Sequence, residues 1–166
     1  MERKLTIISP ALGTALVKQL AHELKNYNLY MSFANFFAIE GLSDLEEYYR
    51  KRANEEKNHH QWIMDYLTDG DYKFTYPEID KNTETFDTVV KPFQQTVERE
   101  IQTTNMIYKL YDLATSEKDY MTASWLYEKL IKEQIEEENT SRMALTIMET
   151  EADIYTKASE VLDLLD

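Results

Sequence analysis

Apolar residues recur at steps of three and four along four long segments, the spacing of one face of an α-helix. The first segment runs from about residue 11 to 38 and places Val17, Leu20, Leu24, Met31 and Ala38 on one stripe, with Gly41 in IEGLSD as its stop. The second begins at Ser43 or Asp44, where S-D-L-E-E resembles a capping box, and runs to Leu67 before TDGD ends it. Residues 68–86 contain Gly70 and Pro77 and show no helical period. They read as a loop whose Tyr72, Phe74, Tyr76 and Ile79 pack against the body, and a loop this long crosses the length of a domain. A third helix is predicted over about 87–115, with Phe93, Val97, Ile107 and Tyr111 on one stripe and Pro92 tolerated in its first turns. After the SEKD turn a fourth spans about 120–149, and ASEVLDLL makes a short fifth. Helices of this size are ~40 Å long at 1.5 Å per residue. Two short connections and one long one therefore make an all-α four-helix bundle, two antiparallel hairpins joined by a crossover.

The 166 residues fit one domain, 1–166, and the 3 Gly and 3 Pro leave few turns. Without Cys there is no disulfide scaffold, thiolate metal site or cysteine nucleophile. A formal charge of −13 repels nucleic acid and attracts cations. The opening MERKLTIISPALGTALVKQL has an apolar run broken by Pro10, Gly13, Thr14 and Lys18, so no signal peptide is read there. No uninterrupted apolar stretch spans a membrane, and a cytoplasmic location is expected.

Charge changes the picture most where it falls on the inward stripes. The second helix reads Tyr49, Arg52/Ala53, Glu56, His59/His60, Ile63, Leu67, and the third Phe93, Val97, Glu100, Thr104, Ile107, Tyr111. The fourth reads Leu126, Leu130, Gln134 with Glu133, Glu137, and Met143 or Ala144, while the first offers Asn28 and Asn35 between Leu24, Met31 and Ala38. Each helix thus carries ligand-type residues at mid-length, where antiparallel helices meet. Carboxylates in a core either take up protons or share a cation. Arg52, Arg99 and Lys129 lie near enough in sequence to offset part of the charge, so a structural ion-pair network is one reading. A hard or borderline metal is the other: glutamate oxygens with one imidazole suit Fe, Mn or Zn, and a bridging carboxylate suits a dinuclear centre. Glu56 and His59 stand three apart on one helical face, as chelation requires. His60 lies about 100° further round, a surface or supporting position. His22 has no acidic neighbours in sequence and is expected to be solvated. Glu55, one step off the stripe, shares a neighbourhood with Glu133 and Glu136, a candidate flanking cation site.

The segments NYNLYMSFANFFAIEGL, RKRANEEKNHHQWIMDYL, EREIQTTNMIYKL and KEQIEEEN, with the short fifth helix, resemble the ferritin family in its prokaryotic non-haem branch over nearly the whole chain. Ferritins are shells of 24 subunits that oxidise Fe(II) with oxygen or peroxide at an intrasubunit diiron centre and store Fe(III) mineral. The resemblance implies Glu56 as bridging carboxylate, His59 as a ligand of the first iron, Glu100 and Glu137 as ligands of the second, and Gln134 beside the oxygen-binding side. It further implies Glu55, Glu133 and Glu136, sharing Glu137, as a third iron site, and Zn or Mn as substitutes. In this alignment the first-helix glutamate of active ferritins is Asn28, the tyrosine seven residues on is Asn35, and the tryptophan five residues before the glutamine is Lys129. Asn28 would then be a neutral metal ligand in a weakened centre, with Tyr27 and Tyr30 the tyrosines to test for redox behaviour. The expected function is iron storage with ferroxidase activity. The alternatives are a non-catalytic shell subunit, an acidic helical interaction protein, and an oxygenase on the same fold, which would carry a second E-x-x-H where this chain has Q-x-x-E.

Overall fold

The structure is a computed structural model and describes residues 8–166. The opening MERKLTI, part of the stretch read as lacking a signal peptide, lies outside the described residues. The elements are α1 (Pro10–Ile39), α2 (Ser43–Asp69), α3 (Lys91–Ser116), α4 (Tyr120–Leu126), a π-helical turn (Tyr127–Ile131), α5 (Lys132–Met148) and α6 (Ile154–Asp163). No helix among the described residues is long and apolar enough to cross a membrane.

Ser9 starts α1 by accepting the Leu12 N–H on its hydroxyl, with Pro10 in the first turn where its missing N–H costs nothing. At the other end the Leu42 N–H reaches the Phe37 carbonyl at 2.9 Å across Gly41, whose φ of 73° is a conformation glycine takes without Cβ strain. This tight turn folds α2 back along α1. The capping box expected at Ser43 is absent: the cap position is Leu42, and no side chain bonds there. The crossover, 70–90, starts α3 four residues later than the sequence pattern suggests, because Pro92 sets the first helical turn. It is pinned where Asn82 donates to the Lys25 carbonyl, Gln95 donates to the Thr85 carbonyl, and Phe86 meets the Phe33 ring edge-on at 4.9 Å. A Cβ on Gly13 would lie 2.2 Å from the Tyr72 ring, so this glycine lets the crossover sit directly on α1. Asp119 caps α4 through the Thr122 N–H and hydroxyl, and Asp153 caps α6.

The fourth rod is one path broken by the π turn, in which the Lys132 N–H bonds to the Tyr127 carbonyl five residues back. Eight residues of α-helix from Leu126 to Gln134 would overshoot two turns by about 80°. The wide turn absorbs that excess, and Leu126, Leu130, Gln134 and Glu137 all face inward and buried.

Two apolar clusters fill the bundle. One gathers Phe33, Phe37, Tyr48, Tyr49 and Phe93 with Val161 of α6, and the other Leu12, Leu16, Leu20, Ile63, Leu67 and Ile107. Between them lies a buried polar layer containing Glu23, Arg52, Glu56, His59, Glu100, Gln134 and Glu137. The α2 stripe is buried as read. The α1 stripe is rotated: Val17, Leu24 and Met31 are only half-buried and Ala38 is exposed, while Leu12, Leu16, Leu20, Glu23, Tyr30, Phe33 and Phe37 face the core. Apolar residues lie on nearly every side of α1, so their spacing alone does not mark its inner face.

Candidate metal centre

The rotation of α1 decides the centre. Asn28 and Asn35 are exposed, so Asn28 is not a metal ligand of this layer. The α1 residue that faces Glu56 is Glu23, fully buried, and one donor atom from each of Glu23, Glu56 and His59 falls within 4.8 Å of the others. Seven residues beyond Glu23 stands Tyr30, also fully buried, its hydroxyl donating to Glu100 Oε1 at 2.5 Å. The carboxylate and phenol that seemed missing from α1 are therefore present five residues earlier. Lys129 is exposed, with its ammonium 5.7 Å above the Trp62 ring. That indole, overlooked in the sequence, lies 5.1 Å from the His59 ring.

Glu56 and His59 come from one face of α2, Glu100 from α3, and Gln134 and Glu137 from α5, and all five are buried. His59 reaches Glu137 with Nε2 at 3.5 Å and Glu56 with Nδ1 at 3.8 Å. Burial by itself lowers an imidazole's pKa, but the nearby Glu137, then Glu56 and Glu23, overcome it and raise His59 to about 10. Glu56 is lowered despite its burial, chiefly by the neighbouring His59 imidazole. Glu23 is pushed well up by burial and by repulsion from Glu56, and Glu137 well up by burial. Without a metal, a proton on His59 offsets the crowded carboxylates, and burial pushes Glu23 and Glu137 toward taking up protons.

Glu23 Oε1 accepts from Gln19 at 2.6 Å, but Glu23 Oε2, Glu56 Oε2 and Glu137 Oε2 are buried with no hydrogen-bond partner. Two of these oxygens, on Glu23 and Glu56, cluster with the His59 imidazole, and two carboxylates with one imidazole are a donor set for a divalent hard or borderline cation. The residues here fit a metal ion. Glu100 differs: its Oε1 receives Arg52 at 2.7 Å and Tyr30, and its Oε2 receives Gln134 at 2.8 Å.

Of the flanking acids, Glu55 is half-buried and paired with Arg52 at 3.2 Å, while Glu133 and Glu136 are exposed. Together with Glu137 they line one cleft. Of the cations considered as offsets, only Arg52 enters the layer, since Arg99 pairs with Glu84 of the crossover and Lys129 stays outside. His22, expected in solvent, is buried against the Thr103 hydroxyl at 2.7 Å, and burial lowers it to about 4. His60 is half-buried and bonds the Tyr76 hydroxyl at 2.7 Å.

Comparison with known proteins agrees with this architecture. A crystal structure described as a novel open pore ferritin from the archaeon Archaeoglobus fulgidus superposes with a TM-score of 0.86 at 24% identity, over 93% of this chain and 98% of that one, a likeness of fold. Bacterial non-heme ferritins align along most of the chain. That of Staphylococcus saprophyticus is 30% identical over 80% of this chain and 78% of its own length. That of Bacteroides fragilis is 29% identical over 82% and 85% respectively. The ferritin-like domain of the ferritin family matches residues 13–150, and the chain belongs to that family.

Proposed function

We propose that the protein is a cytoplasmic iron-storage ferritin that takes up Fe(II), oxidises it inside the bundle and holds the Fe(III) as mineral within a homo-oligomeric shell of 24 subunits. The observation that carries this reading is the buried cluster of Glu23, Glu56 and His59, one donor atom from each within 4.8 Å of the others, with Glu23 Oε2 and Glu56 Oε2 free of hydrogen-bond partners among the described residues. Fe(II) is the substrate, and Mn(II) or Zn(II) would substitute on the same ligands. Binding requires the proton on His59 to leave and favours the ionised form of Glu23, so the site exchanges protons for the ion. The carboxylates then favour the more highly charged Fe(III), and the electron that Fe(II) gives up passes to dioxygen or peroxide. Tyr30 and Trp62 are the aromatic side chains in contact with the site's residues. The cleft of Glu55, Glu133 and Glu136 draws Fe(II) toward Glu137 and is the place for a further iron outside the buried centre.

Shell assembly is supported by large apolar side chains left in solvent by the isolated chain, among them Ile39 (79% exposed), Tyr155 (70%) and Ile135 (67%). The relatives named bacterial non-heme ferritin support the iron assignment.

The test is aerobic addition of Fe(II) to the apo-protein and to Glu56→Ala, following Fe(III) absorbance and oxygen consumption together. The native protein is expected to oxidise Fe(II) faster than buffer, and the variant to fall to the buffer rate. Equal rates in the two proteins would mean that iron is oxidised elsewhere, and the chain would then be a passive shell subunit.

A further inference from the structure

Among the described residues Arg52 is the one guanidinium in the polar layer, and it is built in. It is 2% exposed, stands one turn before Glu56 on α2, and crosses to Glu100 of α3, with Nη2 2.7 Å from Glu100 Oε1 and 3.3 Å from the Ser141 hydroxyl, and Nη1 3.2 Å from Glu55. Glu100 has no unpaired oxygen left, because Arg52 and Tyr30 hold one and Gln134 the other. All three partners act as donors, so both Glu100 oxygens are satisfied without a metal. Glu23, Glu56 and Glu137 each keep one buried oxygen without a hydrogen-bond partner among the described residues, and those of Glu23 and Glu56 cluster with His59.

We propose that Arg52 takes the place of a second cation beside Glu100, so that the buried centre holds a single divalent ion, on Glu23, Glu56 and His59. The proposal rests on the metal-binding reading above and departs from the paired irons that the family resemblance implies. A second ion bridged by Glu56 would need an oxygen from Glu100. To obtain it, the ion would have to displace Gln134 from Oε2 or break the Arg52 pair on Oε1, and on either oxygen it would lie beside a buried guanidinium, with repulsion unscreened by solvent. Arg52 is accordingly a positioning residue that fixes how many ions enter.

Anaerobic Mn(II) loading of the native apo-protein, read by electron paramagnetic resonance and by anomalous diffraction from loaded crystals, tests this without turnover. The expected result is the spectrum of a magnetically isolated ion, one anomalous peak among Glu23, Glu56 and His59, and Arg52 still bonded to Glu100. In Arg52→Gln, a second peak beside Glu100 and a spin-coupled spectrum are expected. The diffraction measurement on native protein stands by itself should that variant fail to fold. Two coupled ions in the native protein would overturn the proposal while leaving metal binding intact. A folded Arg52→Gln that still takes one isolated ion would overturn Arg52 as the cause. No ion at Glu23, Glu56 and His59 would sink both this proposal and the metal-binding reading.

Discussion

On one side of the polar layer Glu100 sits among Arg52, Tyr30 and Gln134 with both oxygens engaged, and on the other Glu23, Glu56 and Glu137 each leave an oxygen without a partner. Both sides bury glutamates to the same depth between the same apolar clusters. What separates them is how the charge is met. A permanent guanidinium and neutral donors serve Glu100, whereas the titratable imidazole of His59 faces the other three and burial pushes Glu23 and Glu137 toward taking up protons. Ready-made charge pairs hold a fold together, and charge met only by protons can be exchanged for something else.

Breaking the finished side should cost most. Arg52→Met leaves Glu100 buried without its counter-charge, and the apo-protein is expected to lose about 3–5 kcal/mol in urea denaturation, the usual penalty for removing one member of a buried pair. A loss below about 1 kcal/mol, the scale of an exposed pair, would mean that Glu100 is not held by Arg52 at all.

The exchangeable side should respond to pH with a definite sign. His59 is raised from 6.5 in the unfolded chain to about 10 in the fold. Its contribution is fully present below about 6.5 and is lost as pH rises through about 10. Glu23 and Glu137, also raised, act in the same direction. The melting temperature of the apo-protein should fall across that window, by the equivalent of a few kcal/mol. A flat or rising profile would contradict the protonated state described for this side.

The smallest effect is expected outside the layer. Asn28→Ala, at an exposed position, should leave stability within ~0.5 kcal/mol and Mn(II) affinity unchanged. A clear loss of Mn(II) affinity would restore Asn28 as a ligand and undo the placement of Glu23.

Helix number, the crossover and the inward face of α2 are readable from the chain, because α2 alternates sharply between core residues and charges. Glu56, His59, Glu100, Gln134 and Glu137 follow from stripes that fix their own faces. Glu23 does not, since the many apolar residues around α1 allow several stripes, and the one chosen through Leu24 and Met31 turns Asn28 inward. The signal that could have found it was a spacing: Glu23 and Tyr30 are seven apart, the same interval sought from Asn28. Arg52 was visible as an inward cation, but its engagement with Glu100 depends on the distance between α2 and α3, which no single-helix pattern contains. His22 shows the same limit, because its partner Thr103 lies 81 residues away.

The π turn at Tyr127–Ile131 bears on what kinds of sequence change the rod can survive. It carries one residue of slack immediately ahead of Gln134 and Glu137. A single-residue deletion there can be absorbed by narrowing the wide turn to an α turn, with both side chains still aimed at the centre. α2 has no such reserve between Arg52 and His59. The same deletion there would swing everything beyond it by about 100° and scatter the ligands.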